Sequence, residues 1–257
     1  MSAGAKSNND ASGADAEPTA GGSERISKLL SAHGVASRRE ADSLIAAGRV
    51  LINGEPATIG QKACPGIDEI AVDGAPLYPV SRPVYIMLNK PRGYLTTMND
   101  ERGRKTVVSL VTDVSARVYP VGRLDMDSEG LLLMTNDGSF ANRVAHPSNN
   151  KLKTYEVCVV GDAAGAAYKL RLPMEIDGHV VCAASVELVS GEPGSGVIKI
   201  KISEGRNRQI RKMCAGCGLR VLSLKRVSID RLELGDLRSG HWRYLTKEEA
   251  GLFGVES

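Results

Sequence analysis

Near the middle of the 257-residue chain, a loop crowded with charge is caught between two apolar segments. Tyr119-Pro120-Val121 leads into Gly122-Arg123-Leu124-Asp125-Met126-Asp127-Ser128-Glu129-Gly130, and Leu131-Leu132-Leu133-Met134 follows. The apolar run is short and bounded by turn residues, which predicts an interior strand. Asn136-Asp137-Gly138 is read as the turn that ends it. The pattern is therefore strand, tight polar loop, buried strand, turn. Three carboxylates and an arginine have no packing use at such a place, so chemistry accounts for them better. Four readings fit those residues: a metal site on Asp125, Asp127 and Glu129; a two-carboxylate glycosidase; loop capping without chemistry; or an aspartate acting on a nucleotide. No histidine lies close by and the ligand count of a calcium loop is missing. Basic neighbours suit an anionic substrate rather than a neutral sugar.

Composition narrows the class. Aromatics make up 4% of the chain, so the core must be Leu, Val, Ile and Ala, and base stacking falls to a few tyrosines and arginines. The net charge of +3 conceals a gradient, because Lys6 stands against Asp10, Asp15 and Glu17 in the tail. Five cysteines, an odd number in a chain of this length, argue against a disulfide framework and for a reducing cytosol. No apolar run approaches the roughly 20 residues of a membrane span, and without an apolar h-region in the first residues no secretory signal is expected.

Residues 1–23 hold almost no large apolar side chain and are expected to be a disordered tail. Over 24–77 the spacing predicts two helices and a small sheet. Ile26, Leu29 and Leu30 recur at helical spacing, with Gly34 as the C′ residue. Ser37 and Glu40 form a capping box, and Asn53-Gly54 signals a hairpin. Lys28, Arg38, Arg39 and Arg49 form a basic cluster on this module. The prolines of 78–83 mark a linker, and a second domain is expected over 84–257. There, many strands with short connections and scattered helices predict an α+β fold with a largely antiparallel sheet. Residues 204–213 are read as opening a helix, with Ile210, Met213, Cys214 and Cys217 as its buried stripe. Arg208, Arg211 and Lys212 are expected on another face, away from the core. Cys214 and Cys217 have no second pair to complete a zinc site and are assigned to packing.

Two resemblances sharpen this. Ser37-Arg38-Arg39-Glu40-Ala41, Gly48-Arg49-Val50 and Ile52-Asn53-Gly54 resemble an S4 domain, a small RNA-binding module, which implies docking on structured RNA through phosphate and shape. Gly122-Arg123-Leu124-Asp125 with Ser128-Glu129-Gly130-Leu131-Leu132-Leu133 resembles the signature of the RsuA/RluB family of ribosomal RNA pseudouridine synthases. Asn89-Lys90-Pro91-Arg92-Gly93, Lys153-Thr154-Tyr155-Glu156-Val157, Glu204-Gly205-Arg206-Asn207-Arg208-Gln209-Ile210-Arg211 and Leu222-Ser223-Leu224-Lys225-Arg226-Val227 agree in order and spacing.

The resemblance implies isomerisation of a uridine. The glycosidic bond breaks, the uracil turns and a C–C bond forms. By resemblance, Asp125 is the catalytic aspartate, attacking ribose or base; Tyr155 lies against the target base; and Arg211 pairs with Asp125. Arg123 is expected to fill the space left by the flipped base, and Lys90, Arg206 and Arg208 to contact RNA with the S4 cations. No metal or other cofactor is implied. The expected partner is ribosomal RNA or a pre-ribosomal particle, with 23S first, 16S second and tRNA third. The protein is expected to be a cytoplasmic monomer with no membrane contact. An inactive RNA-binding assembly factor and an RNA-glycosidic hydrolase remain as rivals from other classes.

Overall fold

A computed structural model describes residues 22–77 and 82–255. The expected tail and linker fall largely on 1–21 and 78–81, outside the described residues. The described chain forms two compact units, one on either side of 78–81.

The first unit runs β1 (Glu24–Arg25), α1 (Ile26–Ala32), α2 (Arg38–Ala46), β2 (Val50–Ile52), β3 (Glu55–Pro56), β4 (Lys62–Ala63), β5 (Ile70–Val72) and β6 (Ala75–Pro76). Ser37 caps α2 in the reciprocal arrangement with Glu40, satisfying two of the helix's free N–H groups. Asn53 and Gly54 both have positive φ, which is what a two-residue hairpin turn between β2 and β3 requires. Ile26, Leu30, Ala41, Ile45 and Val50 form its core.

The second unit contains β7 (Tyr85–Lys90), β8 (Tyr119–Val121), β9 (Glu129–Thr135), α3 (Gly138–Ala145), β10 (Lys153–Val160), α4 (Ala163–Lys169), β11 (Met174–Ile176), β12 (His179–Val181), β13 (Ser185–Glu192), β14 (Ser195–Ile202), α5 (Gln209–Gly216), β15 (Arg220–Ile229), β16 (Leu232–Glu233), β17 (Trp242–Tyr244) and α6 (Lys247–Gly251). Its main sheet has the order β13-β14-β10-β15-β9-β7-β17, with β16 on β15 and β8 on β9. All pairings are antiparallel except β15 with β9. The fold is thus α+β with a largely antiparallel sheet. β9 is sealed on both sides, as its unbroken apolar run requires. Leu132 and Met134 join the cluster of α5, and Leu131 and Leu133 join that of Phe140 and Phe253.

Three local expectations differ. Asp137 accepts hydrogen bonds from the backbone N–H groups of Ser139 (2.7 Å) and Phe140 (3.2 Å), so it is the N-cap of α3 and not a simple turn residue. β17, hydrogen-bonded to β7, was not anticipated. And α5 begins at Gln209, leaving 204–208 as a loop that ends on Arg208 in the left-handed region (φ 52°).

The parallel seam positions the central loop. Tyr155 of β10 is paired with Arg226 of β15, and Arg226 with Gly130 of β9. Gly130 has φ 103°, and a Cβ there would lie 2.3 Å from the Arg226 carbonyl oxygen. A side chain at 130 therefore has neither the backbone conformation nor the space it needs. Gly130→Ala is expected to cost about 2–4 kcal/mol of stability, read as a shift in the urea midpoint; a loss below about 0.5 kcal/mol would show that the seam yields.

Candidate active site

The loop before β9 is pinned by its own backbone. The Leu124 carbonyl accepts from Thr96 Oγ1 (2.7 Å), and the Met126 carbonyl accepts from the Gly93 N–H (2.7 Å). The Asp127 carbonyl accepts from Arg211 Nη2 (2.9 Å). Lys90 Nζ donates to the carbonyls of Asp125 (3.0 Å), Ser128 (2.8 Å) and Pro91 (3.2 Å). Every carbonyl from Leu124 to Ser128 is thus held from outside the loop, while the Asp125 side chain stays 34% exposed. A reactive side chain on a fixed backbone is the arrangement that oriented catalysis needs.

Lys90 corrects the expectation of an RNA contact. It is fully buried, at the end of β7 and in register with Gly130 of β9. Three carbonyls match the three N–H donors of an ammonium. Burial pushes its pKa down to about 8, against the opposing pull of Asp125, Asp127 and Glu129. A group sealed in this way cannot reach a phosphate.

The expected pairing of Arg211 with Asp125 is also different. Arg211 Nη2 lies 3.4 Å from Asp127 Oδ2, in addition to its bond to the Asp127 carbonyl. The guanidinium within ion-pair range of Asp125 is that of Arg208, at 3.8 Å. Arg208 itself grips Asp127, its Nη1 and Nη2 donating to Oδ1 and Oδ2 at 3.1 Å each. Periodicity placed both arginines on an outward face; instead Arg208 caps α5, and the Arg211 side chain is only 12% exposed. Burial lowers the Arg211 pKa, with the nearby cations Arg208 and Arg92 acting the same way and Asp127 and Asp125 opposing. Burial would raise the Asp127 pKa, but the Arg208 hydrogen bonds and the charges of Arg211 and Arg208 outweigh it and hold that acid below its usual range.

Tyr155 is 7% exposed and shares a hydrophobic cluster with Leu124, the residue before Asp125. Its hydroxyl has no hydrogen-bond partner among the described residues and is not sealed from solvent. Arg123 is exposed and makes no hydrogen bond or ion pair with described residues. Arg206 is exposed and paired with Glu204 (2.9 Å). In the first unit, Lys28 and Arg38 line one open cleft, joined by Arg25, which the sequence reading passed over. Lys28 is paired with Glu24, Arg39 is exposed on the first turn of α2, and Arg49 is engaged by Asp73 at 2.6 and 2.7 Å. Among the described residues no cluster of His, Cys, Asp or Glu is suited to a metal. Burial pushes the Cys214 thiol up to about 12, in keeping with a packing role.

Thr96, Gly93 and Asp127 were missed by the sequence reading. The first two act through a fold-dependent approach that spacing does not reveal, whereas Asp127 stood in the central loop and only lacked a partner.

With this geometry in view, the chain matches the RNA pseudouridylate synthase family over residues 84–216 and the S4 domain over 24–68. The protein belongs to the RNA pseudouridylate synthase family. This synthase is 40% identical over 230 residues to the ribosomal large subunit pseudouridine synthase B of Bacillus subtilis, covering 88% of this chain and 93% of that one. It is 40% identical over 228 residues to an uncharacterized RNA pseudouridine synthase of Aquifex aeolicus, with 88% and 91% covered. The dual-specificity synthase RluF of Escherichia coli is 37% identical over 230 residues, with 88% and 77% covered. A pseudouridylate synthase crystal structure superposes with a TM-score of 0.64 at 28% identity, covering 89% of this synthase and 99% of that chain. The relatives named after RluB and RluF agree with the RsuA/RluB resemblance.

Proposed function

We propose that this synthase converts a specific uridine of ribosomal RNA to pseudouridine, with a 23S site as the first candidate, using Asp125 as its catalytic aspartate. The observation that carries the reading is the loop from Leu124 to Ser128, whose carbonyls are all held while the Asp125 carboxylate is presented to solvent. The target base must leave its helix to be reached, at a cost of a few kcal/mol. The exposed Arg123 beside the loop is suited to fill the space left behind. Asp125 then attacks ribose or base and the C–N bond breaks. The uracil turns, and C5 bonds to the ribose as the bond to Asp125 breaks and returns its electron pair to the carboxylate. C5 loses its proton while N1 gains one. Tyr155 supports the base, and stacking returns about 1–3 kcal/mol. Arg211 and Arg208 supply the positive field around the two aspartates. No step calls on a metal or redox cofactor. A large-subunit target is supported by the name of the Bacillus subtilis relative. The remaining ranking is 16S, then tRNA, and the setting is a cytoplasmic monomer acting on rRNA or a pre-ribosomal particle. Among the described residues no helix is long and apolar enough to cross a membrane.

Transcripts of each rRNA labelled with tritium at uracil C5 test the reaction, because C–C bond formation expels that label. Tritium release without free uracil is expected. Free uracil would mean hydrolysis, and silence on every rRNA would remove the substrate assignment. Pseudouridine mapping in cells with and without the gene then identifies the site.

The S4 unit should anchor the RNA through Lys28, Arg38, Arg39 and Arg49. Deleting residues 24–75 is expected to weaken binding and flatten its log–log salt dependence by about 0.7–0.9 for each lost phosphate contact. A slope equal to that of the full chain would show that the module does not touch RNA.

A further inference from the structure

Arg208 stands between two carboxylates. It is bidentate on Asp127 at 3.1 Å and only grazes Asp125 at 3.8 Å. Its backbone is fixed in the left-handed region at the cap of α5, where its own carbonyl accepts the first helical N–H from Lys212 (3.0 Å), so the side chain works from a set base. The side chain is 44% exposed, so its choice between the two acids is not imposed by packing. Arg211 differs. It is anchored to the backbone carbonyl of Asp127, a contact that no change in the Asp127 carboxylate removes.

We infer that Asp127 is a positioning residue that holds Arg208 away from Asp125 and thereby keeps the catalytic carboxylate open to substrate. This rests on the assignment of Asp125 above. A guanidinium at 3.8 Å leaves the oxygens of Asp125 open to substrate. A guanidinium clamped on it through two hydrogen bonds would cover both oxygens and reduce their nucleophilicity. Asp127, two residues along a rigid loop, takes the bidentate role itself and sets that distance. The sequence carries both aspartates in one loop, and the fold gives them different tasks.

The test is a double-mutant cycle on the full chain. Asp127→Asn removes the charge that retains Arg208 but leaves the backbone carbonyl on Arg211. Single-turnover kcat on an unmodified rRNA transcript that the wild type modifies is expected to fall about 10- to 100-fold, with KM changed less than about threefold. Adding Arg208→Gln to D127N is expected to restore kcat to within about threefold of R208Q alone. Asp127→Glu, which keeps the charge, should stay within about fivefold of wild type. A kcat for D127N within about twofold of wild type, or an equal loss in the R208Q background, overturns the inference. Should D127N fail to melt cooperatively, Asp127→Ser takes its place in the cycle. A second reading needs no RNA: the crystal structure of free D127N is expected to show Arg208 bidentate on Asp125. Arg208 pointing to solvent there would equally overturn it. If no rRNA is a substrate for the wild type, the proposed target fails while this structural arm still decides the role of Asp127.

Discussion

Asp125→Asn is expected to lower pseudouridine formation by about 10³-fold or more, with RNA affinity within about threefold of wild type. The reasoning starts from the loop. Its five carbonyls remain bonded to Lys90, Thr96, Gly93 and Arg211 whatever side chain stands at 125, so the backbone geometry survives the change. Asn is nearly isosteric with Asp but has no anionic oxygen to attack carbon. The RNA contacts proposed for the S4 unit and the surface arginines are untouched, so KM should move little. The measurement is single-turnover product formation beside a filter-binding isotherm. Mass spectrometry of the variant excludes deamidation back to Asp. Turnover within about tenfold of wild type would remove Asp125 from the chemistry.

Lys90→Met is the second large effect, and it should appear in both stability and rate. Methionine keeps most of the volume but leaves the part-buried carbonyl of Pro91 and the buried one of Ser128 without the ammonium that now serves them. An unsatisfied buried acceptor costs about 1–3 kcal/mol, so a loss of about 2–4 kcal/mol in unfolding free energy is expected. The same change frees the backbone on both sides of the aspartates. A misplacement of about 1 Å in a catalytic group costs about 100-fold, so turnover should fall by at least that much even where the variant is fully folded. Guanidinium unfolding and single-turnover kinetics below the transition measure the two effects separately. An unchanged midpoint with full turnover would show that Thr96, Gly93 and Arg211 hold the loop without it.

The first unit was legible because its signals are local. The Ser37–Glu40 capping box and the Asn53-Gly54 turn each specify backbone geometry within four residues. The α+β class followed from many strands with short connections and scattered helices, and the interior position of β9 from the unbroken run Leu131–Met134. What was misread involves partners far apart in the chain. Lys90 beside a proline and Arg92 looks like an exposed cation; its burial depends on β7 lying against β9, some 40 residues later. Arg208 and Arg211 fit a helical period, but a left-handed cap at Arg208 removes it from that helix and turns its side chain to the central loop. Asp137 was read as a turn because capping and turning use the same residue types. β17 escaped because three residues alternating around Arg243 carry little pattern of their own.

By itself the sequence determined the chemical inventory: an aspartate loop between strands, a tyrosine on a strand, arginines before a helix, and a basic module ahead of them. Motif order carried the family resemblance as well, since catalytic residues must recur in type and sequence even where their contacts are unknown. Only the tertiary structure decided which cation faces which acid, that Lys90 is a buried brace, and that Arg208 grips Asp127 rather than Asp125. The physical reason is range. Capping, turns and periodicity act over a few residues, whereas a charge finds its partner through strands paired 40 to 100 positions apart, and such pairings are fixed only when the whole sheet closes.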